Sequence, residues 1–79
     1  MTREEKQRYA DAPVVAVFPM TNHGGIEILD ANDEYVVYRF NFGTPQELHR
    51  AKVKIGTRHS SFRTSAGYSI RLDECMKVR

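Results

Sequence analysis

The apolar residues of this chain gather in short runs of strand length, separated by clusters of turn-forming residues. Val14, Val15, Ala16, Val17 and Phe18 make one β-branched run after Pro13. Pro19 and the turn-rich group Thr21, Asn22, His23, Gly24 and Gly25 are expected to close it. Two further runs, 26–29 and 35–42, flank Asp30, Ala31, Asn32 and Asp33, whose short polar side chains bond their own backbone in turns, so a β-hairpin is expected there. In its second arm a period of two places Val36, Tyr38, Phe40 and Phe42 on one face and Val37, Arg39 and Asn41 on the other. The aromatic face is assigned to the core. Each of its four side chains contributes roughly 1.5–3 kcal/mol on burial, which makes this the expected central strand and Phe40→Ala an expected unfolding change. A second hairpin is expected from 60–63 and 68–72 around the turn 64–67, with Tyr68, Ile70 and Leu72 on one face and Ser69 and Arg71 on the other.

Helical signals are few. Thr2 with Glu5 three residues on fits a capping box, which predicts two turns over 3–10, ended by Pro13. Residues 1–12 are therefore read as a helical arm, frayed or docked, and 13–79 as one globular domain. Thr44, Pro45 and Glu47 form a cap, first-position and third-position pattern that predicts a short helix near 45–51. That helix either continues to Gly56, burying Leu48, Ala51 and Ile55, or stops near Ala51. The second course is adopted, with 52–55 as a strand, Val53 and Ile55 inward and Lys52 and Lys54 outward beside Arg50. For the tail 73–79, with Met76 and Val78 as its apolar residues, a helical turn and an edge strand both stay open. The fold class expected is α+β or mostly β: a twisted antiparallel sheet of about five strands rolled toward a small barrel.

Composition agrees with a folded chain, at 41 per cent hydrophobic and 28 per cent charged. A 79-residue chain hides only roughly 60 per cent of its unfolded surface, so one core and marginal stability follow. The single cysteine, Cys75, rules out an internal disulfide and a cysteine zinc cluster. Residues 1–8 are charged and lack the apolar centre of a signal peptide, and no stretch is apolar enough to span a bilayer. A cytoplasmic protein without membrane association is expected.

Charge changes the picture most. Residues 1–34 hold three Arg/Lys against seven acids, a net −4, whereas 35–79 hold nine against three, a net +6. No Asp or Glu occurs over 48–72, which carry Arg50, Lys52, Lys54, Arg58, Arg63 and Arg71 with His49 and His59 interleaved. Such a footprint speaks of partners. Arg50, Lys52, Lys54, Arg58 and Arg63 are the candidate phosphate-binding patch, with Arg39, Arg71, His49 and His59 as its extension and Thr57, Ser60 and Ser61 as neutral donors. Tyr35, Phe62 and Tyr68 are candidate rings for stacking on bases. The competing reading of the lysines is a solvated outer face that guards a strand edge.

Glu27, Asp30, Asp33 and Glu34 form an alternative acidic surface around the first hairpin, explained either by turn chemistry or by a basic partner. Chemistry beyond binding finds little footing. His23, His49 and His59 lack the one-face spacing of a metal motif. His23, Gly24 and Gly25 look like an esterase oxyanion loop but have no G-x-S-x-G nucleophile elbow to serve. Ser60 and Ser61 beside His59 lack an orienting acid in local sequence, and Cys75 reads as a small hydrophobe.

The expectation is a non-enzymatic binding module without cofactor or metal, engaging nucleic acid or a nucleic-acid-handling protein, with homodimerisation as a route to cover sheet edges. Two alternatives stand beside it. One is a phage- or plasmid-type accessory protein that inhibits or adapts a nucleic-acid enzyme; the other is a structural, self-associating domain.

Overall fold

A computed structural model describes residues 1–20, 24–41 and 47–78. The chain is mostly β. It runs α1 (Arg3–Tyr9), β1 (Ala16–Met20), β2 (Gly24–Ala31), β3 (Tyr35–Phe40), β4 (Leu48–Lys52), β5 (Lys54–Ile55), β6 (Ser60–Arg63), β7 (Ser69–Arg71), a 3-10 turn (Leu72–Glu74) and β8 (Met76–Lys77). All pairing is antiparallel, in a larger sheet of order β4-β3-β2-β1-β8, whose last strand is only two residues long, and a three-stranded sheet of order β5-β6-β7.

Both expected hairpins form. β2 and β3 pair Ile26 with Phe40, Glu27 with Arg39 and Ile28 with Tyr38, and β6 and β7 pair Phe62 with Ile70. The turn between β6 and β7 relies on Gly67, whose φ of 91° lies in the region that favours glycine. Asn32 caps the β2–β3 turn, its side-chain oxygen accepting from the Glu34 and Tyr35 N–H groups at 2.7 and 2.9 Å.

The main core lies between the two sheets. Ile26, Ile28, Val36 and Tyr38 of the larger sheet pack on Val53, Phe62 and Ile70, with Phe40, Ala51 and Leu72 partly buried around them. Tyr38 is the pin of this layer. Its ring lies 5.3 Å from that of Phe62 and 5.3 Å from that of His49, the latter stacked at 24°, and meets Phe40 edge-on at 5.8 Å. Its hydroxyl accepts from the Ser65 N–H at 2.8 Å, so the polar end of a nearly inaccessible side chain is satisfied.

A second, smaller core sits on the opposite face of the larger sheet. There Tyr9 of α1 covers Leu29 and Val37, with Ala12, Val14, Tyr35 and Leu48 around them. Thr2 caps α1 by accepting from the Glu5 N–H at 3.2 Å. In place of the return bond of a full capping box, the Thr2 hydroxyl donates to the Glu5 carboxylate at 3.3 Å. β2 is bulged between Ile28 and Asp30, so Leu29 is the extra residue. The bulge puts Asp30 opposite Val37 on the α1 side, where it accepts from the Tyr9 hydroxyl at 2.8 Å.

Several expectations are corrected. Residues 48–51 are not helix: Leu48–Lys52 is a strand paired with β3, Leu48 opposite Arg39 and Lys52 opposite Tyr35. Cap signals act locally, whereas pairing with β3 satisfies a whole row of its backbone groups. The preceding cap residues Thr44, Pro45 and Gln46, together with Phe42 and the turn residues Thr21, Asn22 and His23, lie outside the described residues. The sheet does not close into a barrel. The chain kinks at buried Val53, leaves β4 as an edge, and starts a separate sheet, giving more and shorter strands than the five expected. Ile55 faces solvent at 64 per cent exposure, because β5 is the outer strand of that sheet. β1 continues through Pro19, which pairs with Gly25. A Cβ at Gly25 would run into the Phe18 carbonyl oxygen, so only glycine fits. The tail combines both open options, a 3-10 turn followed by the edge strand β8.

Candidate functional site

The expected basic patch divides by its partners. On the α1 side of the larger sheet Arg39 and Arg50 are engaged, and Lys52 is not. Arg39 pairs with the cross-strand Glu27, Nε to Oε1 at 2.8 Å and partly buried. Arg50 donates to Glu5 at 2.9 Å while its guanidinium lies 5.7 Å from the Tyr35 ring centre. Nearby, Lys6 pairs with Glu47 at 3.2 Å, and that ammonium holds the Glu47 carboxyl below the usual carboxylate range. Arg71, at the other edge, grips Asp73 at 2.7 Å and Glu74 at 3.3 Å. That pairing lowers the Asp73 carboxyl and raises the Arg71 guanidinium.

Lys52, Lys54, Arg58 and Arg63 are different. They are exposed, and their side chains make no hydrogen bond or salt bridge among the described residues. The pairings of β5, β6 and β7 explain two of them, Lys54 and Arg63. Phe62 and Ile70 face the core, so by alternation Ser61 and Arg63 face outward, with Lys54 opposite Ser61 and Ser69 opposite Arg63. Lys52, Lys54, Ser61, Arg63 and Ser69 thus line a shallow groove of about 330 Å³ on the outer face of the second sheet. A second groove, of about 440 Å³, follows β4 and has His49, Arg50, Lys52, Arg63 and Ser65 along it. Arg58 stands apart in the β5–β6 turn, and His59 is partly buried at its end.

The acidic surface is reduced in the same way. Glu27 is held by Arg39 and Asp30 by Tyr9, leaving Asp33 and Glu34 exposed at the β2–β3 turn, where they border a groove shared with Arg50 and Lys52. The acidic and basic halves of the sequence therefore fold against each other. Of the candidate rings, Phe62 is core, Tyr35 lies under Arg50, and Tyr68 is 46 per cent exposed. Ser69 joins the groove although sequence reasoning passed over it; its place opposite Arg63 in the second hairpin was the available signal.

Among the described residues no three His, Cys, Asp or Glu side chains gather as metal ligands, and no helix is long and apolar enough to cross a membrane. The Cys75 thiol is pushed up by burial and by Glu74 and Asp73, and its Sγ lies 3.6 Å from the Arg71 carbonyl oxygen. It is therefore a thiol, not a thiolate, at neutral pH. Three cations without carboxylate partners, interleaved with serine hydroxyls, bring positive charge and neutral donors together on one face. No family model, no curated protein and no solved structure matches this chain.

Proposed function

We propose that the protein is a small, non-enzymatic binding module that engages the phosphate backbone of nucleic acid through Lys52, Lys54 and Arg63, with Ser61 and Ser69 as neutral donors and Arg58 at the margin. One observation carries this reading: three of the four patch cations without carboxylate partners, Lys52, Lys54 and Arg63, converge on one groove, while Arg39, Arg50 and Arg71 are spent on internal ion pairs. Unpaired cations displace counterions when they meet phosphates, so binding would be strongly salt-dependent. Arg39 and Arg71 belong to the scaffold on this reading, not to the interface.

The test is binding to labelled single- and double-stranded DNA and RNA at about 50 and about 200 mM salt. With three phosphate contacts, affinity should fall roughly 20- to 40-fold between the two. Lys54→Ala/Arg63→Ala should remove most of the binding and most of the salt slope while leaving the melting temperature in place. Silence toward all four nucleic acids at low salt would dismiss the reading. The exposed Asp33 and Glu34 would then favour a nucleic-acid-handling protein as the partner.

A further inference from the structure

We propose that the free edge of β4 is a second binding site, which takes an extended segment of a partner protein as an added strand, with carboxylates on one of the segment's faces and small apolar side chains on the other.

The backbone phase of β4 comes first. The Val53 N–H donates to the Glu34 carbonyl at 3.0 Å, one step beyond the Tyr35–Lys52 pair. Stepping back by two, Ala51 and His49 direct their N–H and C=O groups toward β3, so Arg50 and Lys52 direct theirs away from it. β3 gives the same phase independently. Asn41 donates to the Gly25 carbonyl at 2.7 Å and Asn32 to the Tyr35 carbonyl at 3.0 Å, which turns the odd-numbered residues of β3 toward β2 and the even-numbered ones toward β4. Among the described residues nothing bonds the outward groups of Arg50 and Lys52. Two donors and two acceptors in line are what an incoming strand requires.

A groove of about 440 Å³ lies along this edge, with the Lys6–Glu47 pair on its α1 side, Thr64 and Ser65 on the side of the second sheet, and Tyr38, His49 and Ala51 between them. The space between the two sheets opens here. An added strand would alternate its side chains between two environments. Those on the α1 side would meet Lys52, which holds no carboxylate, beside the Arg50–Glu5 and Lys6–Glu47 pairs, so a carboxylate fits at Lys52. Those on the other would enter beside Ala51 and Tyr38, where a small apolar side chain extends the core.

Other occupants fit less well. A second copy pairing β4 with β4 about Arg50 would set Arg50 opposite Arg50, and like charges directly opposite destabilise. Lysines guard an edge against basic neighbours, and by the same charge they attract acidic ones. A phosphate backbone offers no donor for the outward carbonyls of Arg50 and Lys52.

The experiment uses a blocked eight-residue peptide of alternating Glu and Val, titrated into the isotope-labelled full chain and followed by amide shifts and amide exchange. The peptide should slow exchange at the Arg50 and Lys52 N–H groups. Lys52→Ala should weaken binding by removing charge. Lys52→Pro should weaken it about fivefold further, the worth of one hydrogen bond, since it deletes an N–H that β3 does not use. Should that variant fail to fold, a peptide N-methylated at alternate residues makes the same comparison and should not bind. Oligonucleotide affinity, measured in parallel, should be equal in the two variants, so loss of one activity is separable from loss of the other. Unchanged exchange at Arg50 and Lys52 under saturating peptide, or binding indifferent to proline and N-methylation, would overturn the proposal. Protection of those amides by an oligonucleotide would overturn it too.

Discussion

The α1 face of the larger sheet and the outer face of the second sheet are built from the same kinds of charged residue and use them in opposite ways. On the α1 face, charges come as pairs that span elements: Glu5 with Arg50, Lys6 with Glu47, Glu27 with Arg39, and Asp30 beneath the Tyr9 hydroxyl. On the second sheet, Lys54 and Arg63 face serines, and of its outward cations only Arg71 has carboxylates to hold. The lesson is that a positive stretch of sequence is not yet a binding surface. Whether a cation is scaffold or interface depends on which acids the fold brings within reach.

The sharpest way to break the comparison is to remove what the two regions share. Tyr38 joins β3 to His49, Phe62 and the Ser65 N–H, so Tyr38→Ala should cost about 3–5 kcal/mol, as much as a core of this size supplies. Loss of the folded circular-dichroism signal at room temperature is the expected readout. A melting temperature within a few degrees of the parent would show that the two layers do not depend on this ring.

Next comes the division of labour itself. Lys54→Ala/Arg63→Ala should weaken oligonucleotide binding by more than about tenfold, two phosphate contacts' worth, at unchanged thermal stability. Arg39→Ala should do the reverse. It leaves the partly buried Glu27 without its partner, at a cost of about 1–2 kcal/mol by denaturant titration, with oligonucleotide affinity intact. The same outcome for both variants would dissolve the distinction between the faces.

A smaller effect should mark the α1 face alone. The hydrogen bond to Asp30, helped by burial, pushes the Tyr9 hydroxyl up to about 12, above the value of about 10 for a free tyrosine. Folding therefore favours the protonated form. That contribution is complete below about pH 10 and is lost as pH rises toward about 12. Tyr9→Phe should accordingly flatten the fall in stability over that window, as urea midpoints at about pH 9, 10 and 11 would show. The smallest effect belongs to Arg71. Its pairs with Asp73 and Glu74 are exposed, so Arg71→Ala should leave the melting temperature unchanged while the Asp73 carboxyl returns toward the ordinary range, visible by NMR titration.

Much of this fold was legible in the sequence, for reasons of range. The hairpins of 26–40 and 60–71 are encoded by alternation and nearby turn residues, and α1 by Thr2 and Glu5, all short-range signals. Residues 48–51 read as helix but form strand, because their pairing with β3 is a tertiary fact, whereas the helix cap before them is a local one. Val37 looked like a polar-face residue beside Arg39, and only the docking of α1 explains its burial. For the candidate site, the cations were evident but their partners were not. Glu5 lies 45 residues from Arg50, and no spacing rule reaches that far.

The bulge at Leu29 carries a consequence for how such a chain tolerates change in length. Ile28 already faces Tyr38 and Asp30 already faces Val37, so deleting Leu29 would join two correctly paired halves of β2 without shifting either. Such a deletion would take away only the side chain that fills the space under Tyr9. One codon thus separates a bulged sheet from a regular one, with the Tyr9–Asp30 hydrogen bond and the Glu5–Arg50 and Lys6–Glu47 pairs left to hold the helix in place.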